Sequence, residues 1–278
     1  MKKLETILKK ENYNFKVIEQ IGDGETSQIF LGEFNNTKSI FKLSKKNKFK
    51  LIINEYLKNG IIQKIITKNI SPKILFHDLH SELIIYEYCE RDSSDKQFNN
   101  FYQLGKKLKE LHEITSSKKT KTFQDQFNVY LNVSSLELDN KYFKDAVVLF
   151  NELNASKEKY VLSHNDLNFS NVMFKNNKIV FIDFEYLSFN SKYSDLSKLI
   201  ESFNLKTSEK DKLLKGYGID EISENINTKI KKWSLMNVYT ELIWANYINQ
   251  FNKNHFDKDY LNLLKKKIKQ QKQQIKLI

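Results

Sequence analysis

Cysteine is all but missing from this chain: Cys89 is the only one among 278 residues. A single thiol cannot close an intramolecular disulfide or build a zinc site by itself, so a reducing cytoplasm is the expected compartment. No run approaches the eighteen or so apolar residues that a membrane span requires. Met1-Lys2-Lys3 begins like a signal peptide, but Glu5, Lys9, Lys10 and Glu11 interrupt any apolar core behind it. Proline (one residue) and glycine (7) are scarce, whereas Lys, Asn and Ile recur everywhere, the bias of an AT-rich genome. The net charge of +12 belongs to that bias, because the lysines are spread out and no aromatic-interleaved basic motif accompanies them. Nucleic acid is therefore not an expected partner, and the charge implies only a preference for anionic ligands. With 40% hydrophobic residues the composition is globular, with core enough for one large domain or two modest ones.

What the chain does contain is concentrated in residues 162–201. Two short apolar runs, 171–174 and 178–182, flank the polar turn Lys175-Asn176-Asn177, the pattern of a β-hairpin. His164-x-Asp166 precedes the first run, and Asn171 follows Asp166 by five residues. Asp183-Phe184-Glu185 follows the second run. A hairpin brings its ends together, so Asp166, Asn171 and Asp183 are expected to converge. Phosphoryl transfer uses such a set: a carboxylate that accepts the nucleophile's proton, with an amide and a second carboxylate to hold Mg²⁺ on the phosphates. Protein kinases show H-R-D-x-x-x-x-N and D-F-G; here Asn165 stands at the Arg and Glu185 at the Gly.

His164-Asn165-Asp166 with Asn171, then Ile182-Asp183-Phe184-Glu185-Tyr186, then Phe189-Asn190 and Asp195-Leu196, resembles the choline/ethanolamine kinase branch of the aminoglycoside-phosphotransferase-like kinases. The resemblance covers roughly residues 17–250 and implies an α+β, two-lobed protein-kinase-like fold. Residues 1–90 would form an N-lobe of antiparallel sheet plus helix, and residues 91–278 a mainly helical C-lobe with the catalytic hairpin. It implies ATP and Mg²⁺ bound between the lobes. Asp166 is then the catalytic base beside the acceptor, Asn171 and Asp183 are metal ligands, and Asp195 orders the catalytic loop.

The N-terminal half reads consistently with that expectation. A short helix with Leu4, Ile7 and Leu8 on one face precedes strand, small-residue turn and strand, with Gly24, Thr26 and Ser27 in the turn as candidate phosphate-covering residues. Lys42 falls on a third strand, placed for the α/β-phosphates, and Glu55 on a following helical stretch as its ion-pair partner. Strands at 73–77 and 82–88 complete a five-stranded antiparallel sheet. Glu87-Tyr88-Cys89 would then be the hinge whose backbone binds adenine.

In the C-terminal half, Phe101, Leu104, Leu108 and Leu111 predict a helix buried on one face and ending at His112, a packing histidine. Residues 125–154 read as two helices and 204–232 as polar connectors around Gly216 and Gly218. The resemblance further implies an acceptor pocket of acids and aromatics, for which Glu185, Tyr186, Glu201, Trp233, Glu241, Trp244 and Tyr247 are the candidates. Two departures stand out. Glu201 sits one residue earlier than the family pattern, a rotation of about 100° on a helix, and the family's Trp-x-x-Trp pair has Glu241 in place of its first member. A C-terminal amphipathic helix is expected from Leu261, Leu264, Ile268, Ile275 and Ile278. The reading implied is phosphorylation of the hydroxyl of a small cationic alcohol, choline first and ethanolamine second. Thiamine, an aminoglycoside, or a non-catalytic binding protein of kinase fold are the alternatives.

Overall fold

The computed structural model describes residues 2–10, 13–24, 27–45, 60–78, 80, 82–90, 99–116, 120–133, 141–155, 158–175, 178–251 and 255–276. The helix expected around Glu55, and Thr26 and Ile278, lie outside the described residues. The chain divides into two compact units, one of residues 1–98 with 170–186, the other of residues 99–169 with 187–278.

The first unit opens with helix α1 (Lys2–Lys10) and strands β1 (Phe15–Asp23), β2 (Ser27–Phe34) and β3 (Thr37–Ser44). Helix α2 (Ile61–Thr67) and strands β4 (Ile74–Asp78) and β5 (Leu83–Glu87) follow. The five strands make one antiparallel sheet, as the sequence predicts, in the order β1-β2-β3-β5-β4. Alternation along β3 decides its two faces: Ser39, Phe41 and Leu43 are buried, while Ile40 and Lys42, which alternate with them, are less so. Phe41 and Leu43 pack with Phe30, Phe34, Leu83 and Ile85 against Leu4 and Leu8, which is why the N-terminal helix forms on this sheet. Tyr13, Phe34 and Phe76 close one end of that core with ring centroids 5.0 to 5.8 Å apart. The hairpin β7 (Val172–Lys175) and β8 (Lys178–Phe181) belongs to this unit, where Phe181 N–H donates to the Ile70 carbonyl at 2.7 Å.

The second unit holds helices α3 (Phe101–His112), α4 (Phe123–Val133) and α5 (Lys141–Ala155), and a short pair of strands, β6 (Val161–Ser163) and β9 (Ser188–Asn190). Helices α6 (Lys192–Ser202), α7 (Thr207–Tyr217), α8 (Glu224–Phe251) and α9 (Lys258–Lys276) complete it. The 28-residue α8 is its axis, packing on α4, α5, α6 and α9, with Trp233, Met236, Tyr239 and Ile243 fully inside. Residues 204–232 are thus not connectors: they contain α7 and the start of α8. α7 buries Leu213, Leu214 and Tyr217 and is otherwise polar, because at Gly105 and Gly216 it crosses α3 backbone to backbone. A Cβ added at Gly105 would lie 2.1 Å from the Leu213 carbonyl oxygen, and one at Gly216 2.0 Å from that of Tyr102. The Glu209 carboxylate accepts the Lys206 N–H at 2.8 Å at the start of α7, and Gly218, with φ +95°, ends it in the left-handed region. The amphipathic α9 lies on α8 through Leu264 and Ile268.

Candidate active site

In the first unit the chemistry gathers at the open end of the β7–β8 hairpin. The Ile182 N–H donates to the Asn171 carbonyl at 3.0 Å, which ties the residue before Asp183 to Asn171. Asp183 adopts φ +67°, unusual for a residue with a side chain and sustained by the hairpin on one side and a tight turn, Phe184–Tyr186, on the other. Lys42 from the middle of β3 ion-pairs with Asp183 and, at 2.9 Å, with Glu185 Oε2. Burial alone would lower the Lys42 pKa, but the two carboxylates outweigh it and hold the ammonium well above its ordinary value. The same burial pushes the nearby Tyr86 hydroxyl up to about 12. This cluster corrects one sequence expectation: the Glu185 carboxylate is engaged by Lys42 rather than presented to an acceptor.

The turn after β1 differs from a phosphate cradle in detail. The Gly24 N–H is spent on the Ser27 carbonyl at 3.0 Å, and Ser27 is buried opposite Ser44. Glu87 ends β5 exposed, its N–H donated to the Lys73 carbonyl at 2.8 Å, while Tyr88 N–H donates to Lys38 at 2.9 Å. Cys89 follows, partly buried.

In the second unit Asp195 organises the loop that carries Asp166. Ser191 caps α6, accepting the Tyr193 N–H, and so fixes where the first turn of that helix points. The wholly buried Asp195 carboxylate accepts the His164 N–H at 2.7 Å and the Asn165 N–H at 2.9 Å, and meets His112 Nε2 at 3.0 Å. Burial by itself would raise the Asp195 pKa; hydrogen bonding from His112, aided by His164, more than reverses this and leaves it lowered. Asn165, at φ +63°, is held by Ser188, Ser163 and Asn190. His112 is a packing and bonding residue as expected, its other ring nitrogen 2.9 Å from the Tyr217 hydroxyl.

Asp166 emerges from this loop with about a third of its side chain exposed. Asn168 Nδ2 donates to its Oδ1 at 3.2 Å, and Lys198 Nζ lies 3.5 Å from the same oxygen. Lys198 also lies 3.7 Å from Glu241 Oε2, while the Tyr260 hydroxyl donates to Glu241 Oε1 at 2.6 Å. The Tyr260 ring stacks on Phe256, which packs against Trp244 with centroids 5.1 Å apart. Asp166, Lys198, Glu241 and an aromatic run of Trp244, Phe256 and Tyr260 therefore form one cluster.

Sequence reasoning missed Lys198, Phe256 and Tyr260 here. Lys198 had a signal, standing three residues after Asp195 on the same helix; the two aromatics lie beyond the stretch in which an aromatic pocket was sought. Three expected acceptor residues lie elsewhere. Trp233 is 2% exposed against Phe123, and Tyr247 is 5% exposed against Tyr130, both as helix-core residues. Glu201 accepts a hydrogen bond from Ser234 Oγ at 2.9 Å, joining α6 to α8; its one-residue offset rotates it onto that contact. Tyr186 ends the tight turn in the first unit, half-buried.

Residues 18–212, more than half of the chain, match the sequence model of the family described as choline/ethanolamine kinase. The LicA homologue protein of Mycoplasma capricolum subsp. capricolum is 28% identical over 137 residues, 47% of this chain and 55% of the relative, so the match spans about half of that relative's length. The structure of choline kinase LicA from Streptococcus pneumoniae superposes with a TM-score of 0.75 at 19% identity, covering 97% of each chain. That of LicA in complex with AMP gives 0.73 at 19% identity, covering 97% of this chain and 98% of LicA. At such identities the structural likeness is one of fold, a protein-kinase-like arrangement of N-terminal antiparallel sheet and helical C-terminal part. By the extent of the sequence match, the chain belongs to the choline/ethanolamine kinase family.

Proposed function

We propose that this protein transfers the γ-phosphoryl group of ATP to the hydroxyl of choline, with ethanolamine a slower acceptor. The observation that carries the reading is the loop hung on Asp195, which sets the partly exposed Asp166 carboxylate beside Glu241 and the aromatic run of Trp244, Phe256 and Tyr260. Asp166 orients the acceptor hydroxyl and takes its proton as the phosphoryl group is transferred. Lys42 steadies the phosphates. LicA accommodates AMP on the same fold, which supports a nucleotide as the donor.

The residues present also fit Mg²⁺. Asn171 and Asp183 offer hard oxygen donors at the open end of one hairpin, where the Ile182 N–H donates to the Asn171 carbonyl. No three His, Cys, Asp or Glu side chains among the described residues form a self-contained metal cage. That suits an ion that usually takes one or two carboxylates and completes its shell with water and phosphate. When bound, Mg²⁺ supplies charge neutralisation on the β- and γ-phosphates.

The preference for choline follows from how Glu241 is already engaged. One of its oxygens accepts the Tyr260 hydroxyl and the other faces Lys198. A primary ammonium demands hydrogen-bond acceptors, and this carboxylate has little capacity to spare. A quaternary ammonium donates none and is served by aromatic faces and a nearby negative charge. Steady-state rates with choline, ethanolamine, thiamine and kanamycin side by side test the reading. Choline should be turned over fastest, and Asp166→Ala should lose on the order of a hundredfold or more in turnover. A preference for thiamine or kanamycin overturns the acceptor class. ATP binding without turnover of any of the four supports a non-catalytic protein of this fold instead.

A further inference from the structure

Between Asp166 and Glu241 stands a cation that belongs to the protein. Lys198 sits one turn after Asp195 on α6, and its ammonium lies 3.5 Å from Asp166 Oδ1 and 3.7 Å from Glu241 Oε2. Both distances exceed ordinary hydrogen-bond length, so the ammonium bridges the two carboxylates mainly by charge. The groups facing it come from three elements: Asp166 from the loop after β6, Glu241 from α8 and, through Glu241, the Tyr260 hydroxyl from α9. Burial would by itself lower the Lys198 pKa, but Asp166 and Glu241 reverse this and keep it raised, so the side chain is a cation at neutral pH.

We propose that Lys198 is the resident cation of the acceptor site and sets its charge selectivity. It competes with an incoming ammonium for Glu241 while holding Asp166 as a carboxylate. The proposal rests on the reading of Asp166 as the base and of Glu241 and Trp244 as acceptor residues. Its consequence is specific. An acceptor cation drawn to Glu241 and the aromatic run approaches a like charge whose withdrawal would cost both carboxylates their cation. Shape, more than charge, then selects the acceptor in the wild-type protein.

The probe is a pair of alcohols with one shape and different charge: choline and its neutral carbon isostere, 3,3-dimethylbutan-1-ol. The ratio of their kcat/KM values cancels any effect that Lys198 has on both through the base. Lys198→Met should raise the choline-to-isostere ratio about tenfold or more, through a lower KM for choline, because one repulsive unit charge within several ångströms is removed. Lys198→Arg keeps the cation and should keep the wild-type ratio. Glu241→Gln should move the ratio the other way. As an independent readout, the acid limb of the isostere's kcat/KM profile should move to higher pH in Lys198→Met, since Asp166 loses the cation that favours its ionised form. Melting temperatures check that each variant is folded, and Lys198→Gln replaces the Met variant if that one is not. An unchanged ratio in the neutral variants, or an equal change in Lys198→Arg, overturns the proposal. If the wild-type protein phosphorylates neither alcohol, the functional reading itself falls and takes this proposal with it. If it phosphorylates choline and the ratio does not move, only this proposal falls.

Discussion

Asp195 shows how a wholly buried residue can govern the placement of a partly exposed one, Asp166. Its carboxylate collects two backbone N–H groups and an imidazole, and it is wholly buried. Asp195→Asn would set an amide N–H₂ against donors that need an acceptor and would weaken the contact with His112. Breaking such a buried, bonded charge typically costs about 3 kcal/mol or more. The pH dependence follows from the lowered pKa. A carboxyl depressed on folding contributes stability that is fully present above the unfolded value, near 4, and lost as the pH falls through the folded value. The melting-temperature gap between wild type and Asp195→Asn should therefore be widest near neutrality and narrow on acidification below about pH 4. A gap that stays constant across that range would show that the charge is not what matters at this position. At this scale the sequence was most legible where residues sit close along the chain, as with the hairpin that ties Asn171 to the residue before Asp183, and for Asp195, which orders the loop ahead of Asp166. It was least legible for Lys198 and Tyr260, whose relation to Glu241 exists only once α6, α8 and α9 are packed. The roles of Glu185, Glu201, Trp233 and Tyr247 were misread for the same reason. Residue type and spacing place a side chain on a helix or turn, but the neighbour that claims it comes from another element.

Helices were legible in proportion to the apolar stripe they carry. α3 announced itself through Phe101, Leu104, Leu108 and Leu111, all buried. α7 did not, because its contact with α3 depends on what is absent: Gly105 and Gly216 let the two backbones touch. In an exposed helix interior, Gly→Ala stabilises by roughly 1 kcal/mol through helix propensity. Gly216→Ala should do the opposite here, because the new methyl would lie 2.0 Å from the Tyr102 carbonyl oxygen, a backbone atom that cannot rotate away. Forcing the helices apart is an overpacking defect, with a typical cost of about 1–3 kcal/mol. Thermal denaturation of Gly216→Ala should show a lower melting temperature, whereas an unchanged or higher one would mean that α3 and α7 separate at little cost. The sheet was more legible than the helices where its strands follow one another closely, as β1 to β2, β2 to β3 and β4 to β5 do. Even so, hydrogen bonding assigns the β7–β8 hairpin to the first unit through Phe181 and Ile70. A single boundary drawn along the chain cannot express that long-range contact.

Over the whole molecule, the charge distribution would set the proposed donor and acceptor against each other. The chain carries a formal net charge of +12, and its lysines are dispersed. The candidate site residues add local exceptions: Asp183 and Glu185 around Lys42 in one unit, Asp166 and Glu241 around Lys198 in the other. A field of one sign over the surface raises the local concentration of opposite charges and speeds their encounter, an effect that dissolved salt removes. The proposed donor, ATP, is a polyanion and the proposed acceptor, choline, a cation, so the same field would aid the first and oppose the second. The Debye length shrinks from about 14 Å near 0.05 M to about 4 Å near 0.5 M monovalent salt, which leaves short-range contacts inside the clusters but erases the long-range field. Across that range kcat/KM for ATP should fall several-fold, while kcat/KM for choline should hold or rise, each measured with the other substrate saturating. Parallel losses for both substrates would point instead to a general effect of salt on the fold or on the chemical step. Neutral 3,3-dimethylbutan-1-ol distinguishes these cases, because its kcat/KM should be insensitive to screening and should fall only if the protein itself is impaired.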